Sequence, residues 1–192
     1  MRQTSSPSIN LGARLDTCSV DAQRFLLDTS VVSELAKKRP DLRIVEWLTA
    51  LQDFSLALPT ASIVEVSRGI ELLRPDNPIR AAQLDEWLQT LLASDVHTPF
   101  LCTAAARLYG RMTGCRALKH LWISDPRMKA PKMGLDLMIA SQSIVESIPI
   151  ATLNSKDFLS IHQLFPLPGL FHPGLRDWIV NPVREWTLTP SS

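Results

Sequence analysis

Arg24-Phe-Leu-Leu-Asp28-Thr-Ser-Val-Val-Ser-Glu34 decides how the rest of this chain is read. Three large apolar residues in unbroken succession mark a short strand buried on both faces, as in a parallel sheet, although periodicity alone does not exclude a buried helix. The acid Asp28 stands where that strand stops, followed by the hydroxyl residues Thr29 and Ser30 and then by a helical pattern. In open α/β sheets ligands bind outside the carboxyl ends of the strands, which makes Asp28 a site candidate. The competing reading gives Asp28 a purely local task, as the N-cap of the helix or part of a turn with Thr29 and Ser30.

Outward from that stretch, strand and helix patterns alternate. Val31 to Lys38 reads as a short helix closed by Pro40. Asp41 to Leu51 reads as a second, with Leu42, Val45, Trp47, Leu48 and Leu51 as its apolar face, and Phe54–Leu58 as a strand ended by Pro59. A helix from Thr60 to Leu73 follows, in which Ser62 and Glu65 have the spacing of a capping box. Ile79 to Ala93 is a further helix. Val96 to Cys102 is an expected edge strand because of Pro99, and Thr103 is the expected cap of a helix running to about Met112. Gly134-Leu-Asp136-Leu-Met-Ile-Ala140 begins an apolar helix reaching about Ser147. Ile148–Asn154 is another buried strand, with Ser155-Lys-Asp157-Phe158 just beyond it. This alternation predicts βαβ units and a three-layer α/β/α sandwich around a mainly parallel sheet.

At 192 residues with 45% hydrophobic content the chain is long and apolar enough for one domain with a substantial core. The expected division is a poorly ordered polar leader over residues 1–23, a globular domain over 24–165, and a Pro-rich tail over 166–192 with a possible last strand. Cys18, Cys102 and Cys115 show no ligand spacing and are read as small packing groups, which suits a reducing compartment. No apolar run approaches the roughly 18 residues of a spanning helix, and the first 23 residues lack a secretory h-region, so a cytoplasmic protein without a membrane partner is expected. A net charge of +1 gives no overall signature. Charge is nevertheless clustered: residues 107–132 hold seven basic residues against one acid, Asp125.

In a right-handed parallel sheet, Asp28, Glu65, Asp136 and the Asn154/Asp157 pair would all face one rim, each following a strand or opening a helix. Two carboxylates about 5 Å apart at an effective dielectric near 20 repel by roughly 3 kcal/mol, so four acids in one cleft call for a cation. An all-oxygen set without His or Cys suits Mg²⁺ or Mn²⁺, and the chemistry that follows is hydrolysis of a phosphodiester. The basic residues of 107–132, close in sequence to Asp136, are the candidates for holding a nucleic-acid backbone, with Arg116, Lys119, Arg127 and Lys129 foremost. The histidines His97, His120, His162 and His172 fit no acid–base spacing and are read as surface or packing residues.

Leu-Leu-Asp28-Thr-Ser, Glu65-x-x-x-Gly69, Asp136-x-x-Ile-Ala140 and Thr152-x-Asn154-x-x-Asp157-Phe158, taken in order, resemble the successive motifs of PIN-domain ribonucleases. The likeness is to VapC-type toxins of the FitB-like group and covers about residues 24–165. It implies a PIN fold, a Mg²⁺-dependent endoribonuclease acting as the toxin of a type II toxin–antitoxin pair, a homodimer, and a cognate antitoxin. Carried onto this chain, Asp28 and Asp136 would be the principal metal ligands. Glu65 and Asp157 would complete the acidic pocket, with Thr29, Ser30 and Asn154 as hydrogen-bonding support. An antitoxin Arg would enter between Asp28, Glu65 and Asp136, while Val31, Leu35, Trp47 and Leu48 would supply an apolar groove for the rest of that partner.

Two other readings compete. A haloacid-dehalogenase-type phosphatase also places an acid after a buried strand, but it needs a second Asp two residues on, where this chain has Ser30. A PIN-like module that binds protein or RNA without catalysis would keep the fold and lose the metal chemistry.

Overall fold

The structure, a computed structural model, describes residues 23–51, 55–123 and 134–185. The expected leader therefore lies outside the described residues. In chain order the elements are β1 (Phe25–Leu27), α1 (Thr29–Leu35), α2 (Leu42–Ala50), β2 (Leu56–Ala57), α3 (Thr60–Leu73), α4 (Pro78–Leu92) and α5 (Thr103–Thr113). A short 3-10 helix (Arg116–Leu121), α6 (Leu135–Glu146), β3 (Ile150–Ala151), α7 (Ser155–His162), β4 (Leu170–His172) and β5 (Asp177–Val180) follow.

The five strands form one sheet in the order β2-β1-β3-β4-β5. The first three pairings are parallel, with Leu26 opposite both Ala57 and Ile150, and Ala151 opposite Phe171; only β4 and β5 pair antiparallel. Alternation along the strands divides the core between the two faces of the sheet. Leu26, Ala57, Ile150 and Leu170 pack with Met112, Leu118, Leu137, Ile139, Phe158 and Ile161 of α5, the 3-10 helix, α6 and α7. Phe25, Leu27, Ala151 and Phe171 pack with Val31, Val32, Ile44 and Trp47 of α1 and α2. The expected three-layer α/β/α sandwich is thus realised. Among the described residues no helix is long and apolar enough to cross a membrane.

Several local expectations are corrected. In α2 the inward positions are Ile44 and Trp47, with Leu48 and Leu51 beside them, whereas Leu42, placed on the apolar face, is 70% exposed. The expected capping box of α3 does not form. The helix already starts at Thr60 after the cap residue Pro59, so Ser62 lies within its first turn, and its hydroxyl donates instead to the Leu27 carbonyl at 2.9 Å. Cys102, without a side-chain cap, precedes α5. Val96–Cys102 is not a strand: His97 makes only an isolated parallel bridge to Ala57, on the β2 edge of the sheet. Beyond residue 165, where one strand at most was expected, β4 and β5 supply two strands of the same sheet.

Candidate metal centre

Because β1 runs parallel to β3, both strands end at the same rim, and α6, which feeds β3, begins there. Asp28 is the first residue past β1. Its amide donates to the Ala151 carbonyl at 3.0 Å, which locks it to the end of β3, and its carboxylate also caps α1 by accepting from the Ser30 amide at 3.4 Å. The capping reading is met, and the same carboxylate stands at the carboxyl-end rim from which the site reading starts.

Two hydroxyls also gather on that carboxylate. Thr152 Oγ1 donates to Asp28 Oδ2 at 2.7 Å and Ser30 Oγ donates to the same oxygen at 2.5 Å. Ser30 Oγ in turn accepts the Leu153 amide at 3.0 Å, and Thr152 Oγ1 accepts the Asn154 amide at 2.8 Å. Asn154 Nδ2 then donates to Asp157 Oδ2 at 2.9 Å. A hydrogen-bonded chain therefore runs from the end of β1 across the end of β3 into the first turn of α7. Asp28 is only 3% exposed, and burial pushes its pKa above the ordinary carboxylate value against the opposing effect of the Ser30 and Thr152 hydrogen bonds.

Asp136 is half-buried in the first turn of α6. That helix starts at Gly134, whose φ of +66° lies in the left-handed region. A Cβ there would come within 2.7 Å of Trp122 Cβ and 3.6 Å of Tyr109 Oη, so the close approach of Trp122 requires glycine. Glu65 is exposed in the second turn of α3, one turn beyond Ser62. Ser30, Asn154 and Asp157 are thus tied together with Asp28 by hydrogen bonds, and Glu65 and Asp136 stand on helices that begin at the same rim. The Thr29 hydroxyl, expected to give support, is buried without a hydrogen-bond partner among the described residues. Thr152 was missed as a site residue although it heads the Thr152-x-Asn154 motif; its place next to Asp28 in the β1–β3 register was the available signal.

A hard divalent cation fits this donor set. Asp28 is a buried carboxylate that enters no ion pair among the described residues, and the other candidate ligands are all oxygen. Among those residues no group of three or more His, Cys, Asp or Glu is drawn together for a metal. Mg²⁺ keeps several waters and is commonly bound through one or two carboxylates.

Of the basic candidates, Arg116 and Lys119 are exposed on the 3-10 helix, and Arg127 and Lys129 fall outside the described residues. The expected apolar groove is differently lined. Val31 and Trp47 are fully buried core residues, while Leu35 joins Leu27, Val32, Leu56, Leu58 and Leu91 around a cleft of about 360 Å³.

Residues 25–162 match the PIN domain family, most of the chain. The chain belongs to the PIN domain family. Its PIN fold is similar to that of FitAcB from Neisseria gonorrhoeae, at 24% identity and a TM-score of 0.56 over 78% of this chain and 97% of that one. VapBC-1 from nontypeable Haemophilus influenzae is similar at 21% identity and a TM-score of 0.51, over 74% of this chain and 95% of that one. VapBC2 from Rickettsia felis, solved bound to a DNA fragment from their promoter, is similar at 21% identity and a TM-score of 0.50, over 71% of this chain and 92% of that one. No curated protein sequence matches this PIN domain chain.

Proposed function

We propose that this PIN domain is a divalent-metal-dependent endoribonuclease and the toxin of a type II toxin–antitoxin pair. The observation that carries the reading is the buried Asp28 carboxylate, held at the carboxyl-end rim without a countercharge among the described residues. Asp28 and Asp136 would be the principal ligands of Mg²⁺ or Mn²⁺, with Glu65 and Asp157 completing the pocket. The bound cation would polarise the phosphoryl group of the scissile phosphodiester and offset the charge that develops on it. Ser30 and Thr152 fix the Asp28 carboxylate, and Asn154 fixes Asp157, so that these acids need little rearrangement on binding. Arg116, Lys119, Arg127 and Lys129 would hold the RNA backbone.

The similarity to FitAcB and the VapBC proteins supports a cognate antitoxin as partner. An antitoxin Arg paired with the rim acids would offset the same repulsion that a cation relieves, so antitoxin and metal would compete. The cleft around Leu35 is the nearest apolar surface for the remainder of such a chain. A cytoplasmic homodimer completes the proposal. The alternative is a catalytically silent module that binds protein or RNA, and the observation in its favour is that the acids are not drawn into a cluster of three among the described residues. RNA cleavage with and without Mg²⁺, by the wild type and by Asp28→Asn, separates the two: metal-dependent cleavage lost in the variant supports the nuclease, and RNA binding without cleavage under any metal supports the module.

A further inference from the structure

We infer that the solvent face of α5 is a track for the RNA backbone, with Arg107 and Arg111 as phosphate contacts that neither the motifs nor the acid rim single out; this rests on the ribonuclease reading above. Arg107 and Arg111 are exposed one helical turn apart, an axial separation of about 6 Å. The exposed residues beside them are Ala104, Gly110, Gly114 and Ala117, and nothing lies within 4 Å of a Cβ built on Gly110. The face is therefore low in relief, and a sugar–phosphate chain can lie close to the helix. Arg116 and Lys119, both exposed on the 3-10 helix, continue the line of positive charge.

Arg107, Arg111, Arg116 and Lys119 pair with no acid among the described residues. The sequence provides none nearby, since no Asp or Glu occurs between Asp95 and Asp125. Four unpaired cations in a row suit a polyanion rather than a packed fold.

Packing against α6 brings the track to the rim. Gln142 Nε2, two turns into α6, donates at 3.0 Å to the carbonyl of Pro99, which lies before α5. Tyr109, in the second half of α5, and Trp122, just past the 3-10 helix, both lie against Gly134 at the start of α6. The two helices thus run antiparallel, and the end of α5 that carries Arg111 lies beside the helix start that carries Asp136.

The test uses the full-length protein and a single-stranded RNA oligonucleotide. Arg107→Gln/Arg111→Gln is compared with wild type in cleavage assays, and on an Asp28→Asn background in equilibrium binding across a salt series. Expected are a raised KM with kcat nearly unchanged, and a binding slope against log salt that is smaller by about 1.4, two contacts at roughly 0.7 each for a single strand. Unchanged KM and slope in a variant that still cleaves would overturn the track and leave the nuclease reading intact. Unchanged RNA affinity with a shift from dimer to monomer in sedimentation would also overturn it and assign the face to a second copy. Absence of cleavage by the wild type under any divalent metal would instead remove the reading on which the track rests.

Discussion

Thr152 Oγ1 donates to Asp28 Oδ2 at 2.7 Å across the β1–β3 pair, so the best-buried acid of the rim is held by a neighbouring strand as well as by its own helix. Replacing Thr152 with Val keeps the shape and removes the donor. The expected cost is about 1–3 kcal/mol of hydrogen-bonding to a buried charged group, together with weaker metal binding because Asp28 loses its alignment. Urea denaturation and a metal titration of Thr152→Val check both parts; unchanged values for the two would show that the bond does not position the carboxylate.

Asp28 should make the metal-free protein less stable at neutral pH. Its folded pKa is raised by burial, so between the ordinary carboxylate value of about 3.9 and the raised value the folded state binds more protons than the unfolded one, and stability falls as pH rises through that window. Asp28→Asn should therefore raise the urea midpoint at pH 7.5 in EDTA, with the advantage fading below about pH 4. Saturating metal should reverse the order, adding about 2.7 kcal/mol to the wild type at a hundred times Kd and little to the variant.

Glu34 makes the opposite prediction. It is buried at the end of α1, where its carboxylate accepts from Lys37 Nζ and, at 2.9 Å, from the amide of Asp41, the cap residue of α2. The Lys37 hydrogen bond first, then the Asp41 amide, lower its pKa. Its contribution is present above the unfolded value of about 4.3 and is lost as pH falls through the folded one. Glu34→Gln should thus be less stable than wild type at pH 7, by about 1 kcal/mol, and should converge with it in acid. Denaturation midpoints at several pH values read this out.

Gly134→Ala should damage the site from outside it. The left-handed backbone costs roughly 1–2 kcal/mol for a residue with a Cβ, before the 2.7 Å approach to Trp122 is relieved. Relief means moving the start of α6 and with it Asp136, so metal affinity should fall along with thermal stability. Loss of stability with unchanged metal affinity would detach Asp136 from the metal site.

Where one residue type dominates a local pattern, the sequence is easier to read: Phe25-Leu-Leu27 reads as a buried strand, although periodicity alone leaves a buried helix open, and the apolar run after Asp136 reads as a core helix. Strands of two residues, such as Leu56–Ala57 and Ile150–Ala151, show no periodicity, and their extent is set by the neighbours they pair with. Leu42 looked like part of an apolar stripe but stands at the first helical position, beyond the reach of the core. The Ser62–Glu65 spacing matched a capping box, yet the distant Leu27 carbonyl claimed the hydroxyl. Pro and Gly between Phe165 and Pro182 hid a strand pair whose Trp178 packs against Phe25 and Phe171. At the rim, acids could be named from their positions after strands, but Thr152 emerged only once β1 and β3 were side by side.

The central claim is that Asp28 and Asp136 hold a divalent cation that cleaves RNA. Its most direct test is cleavage of an RNA oligonucleotide during Mg²⁺ titration by wild type, Asp28→Asn and Asp136→Asn, each confirmed folded by circular dichroism. The account predicts activity that rises with Mg²⁺, vanishes in EDTA and is lost in both variants. Full wild-type activity in excess EDTA, or undiminished cleavage by both folded variants, would contradict it.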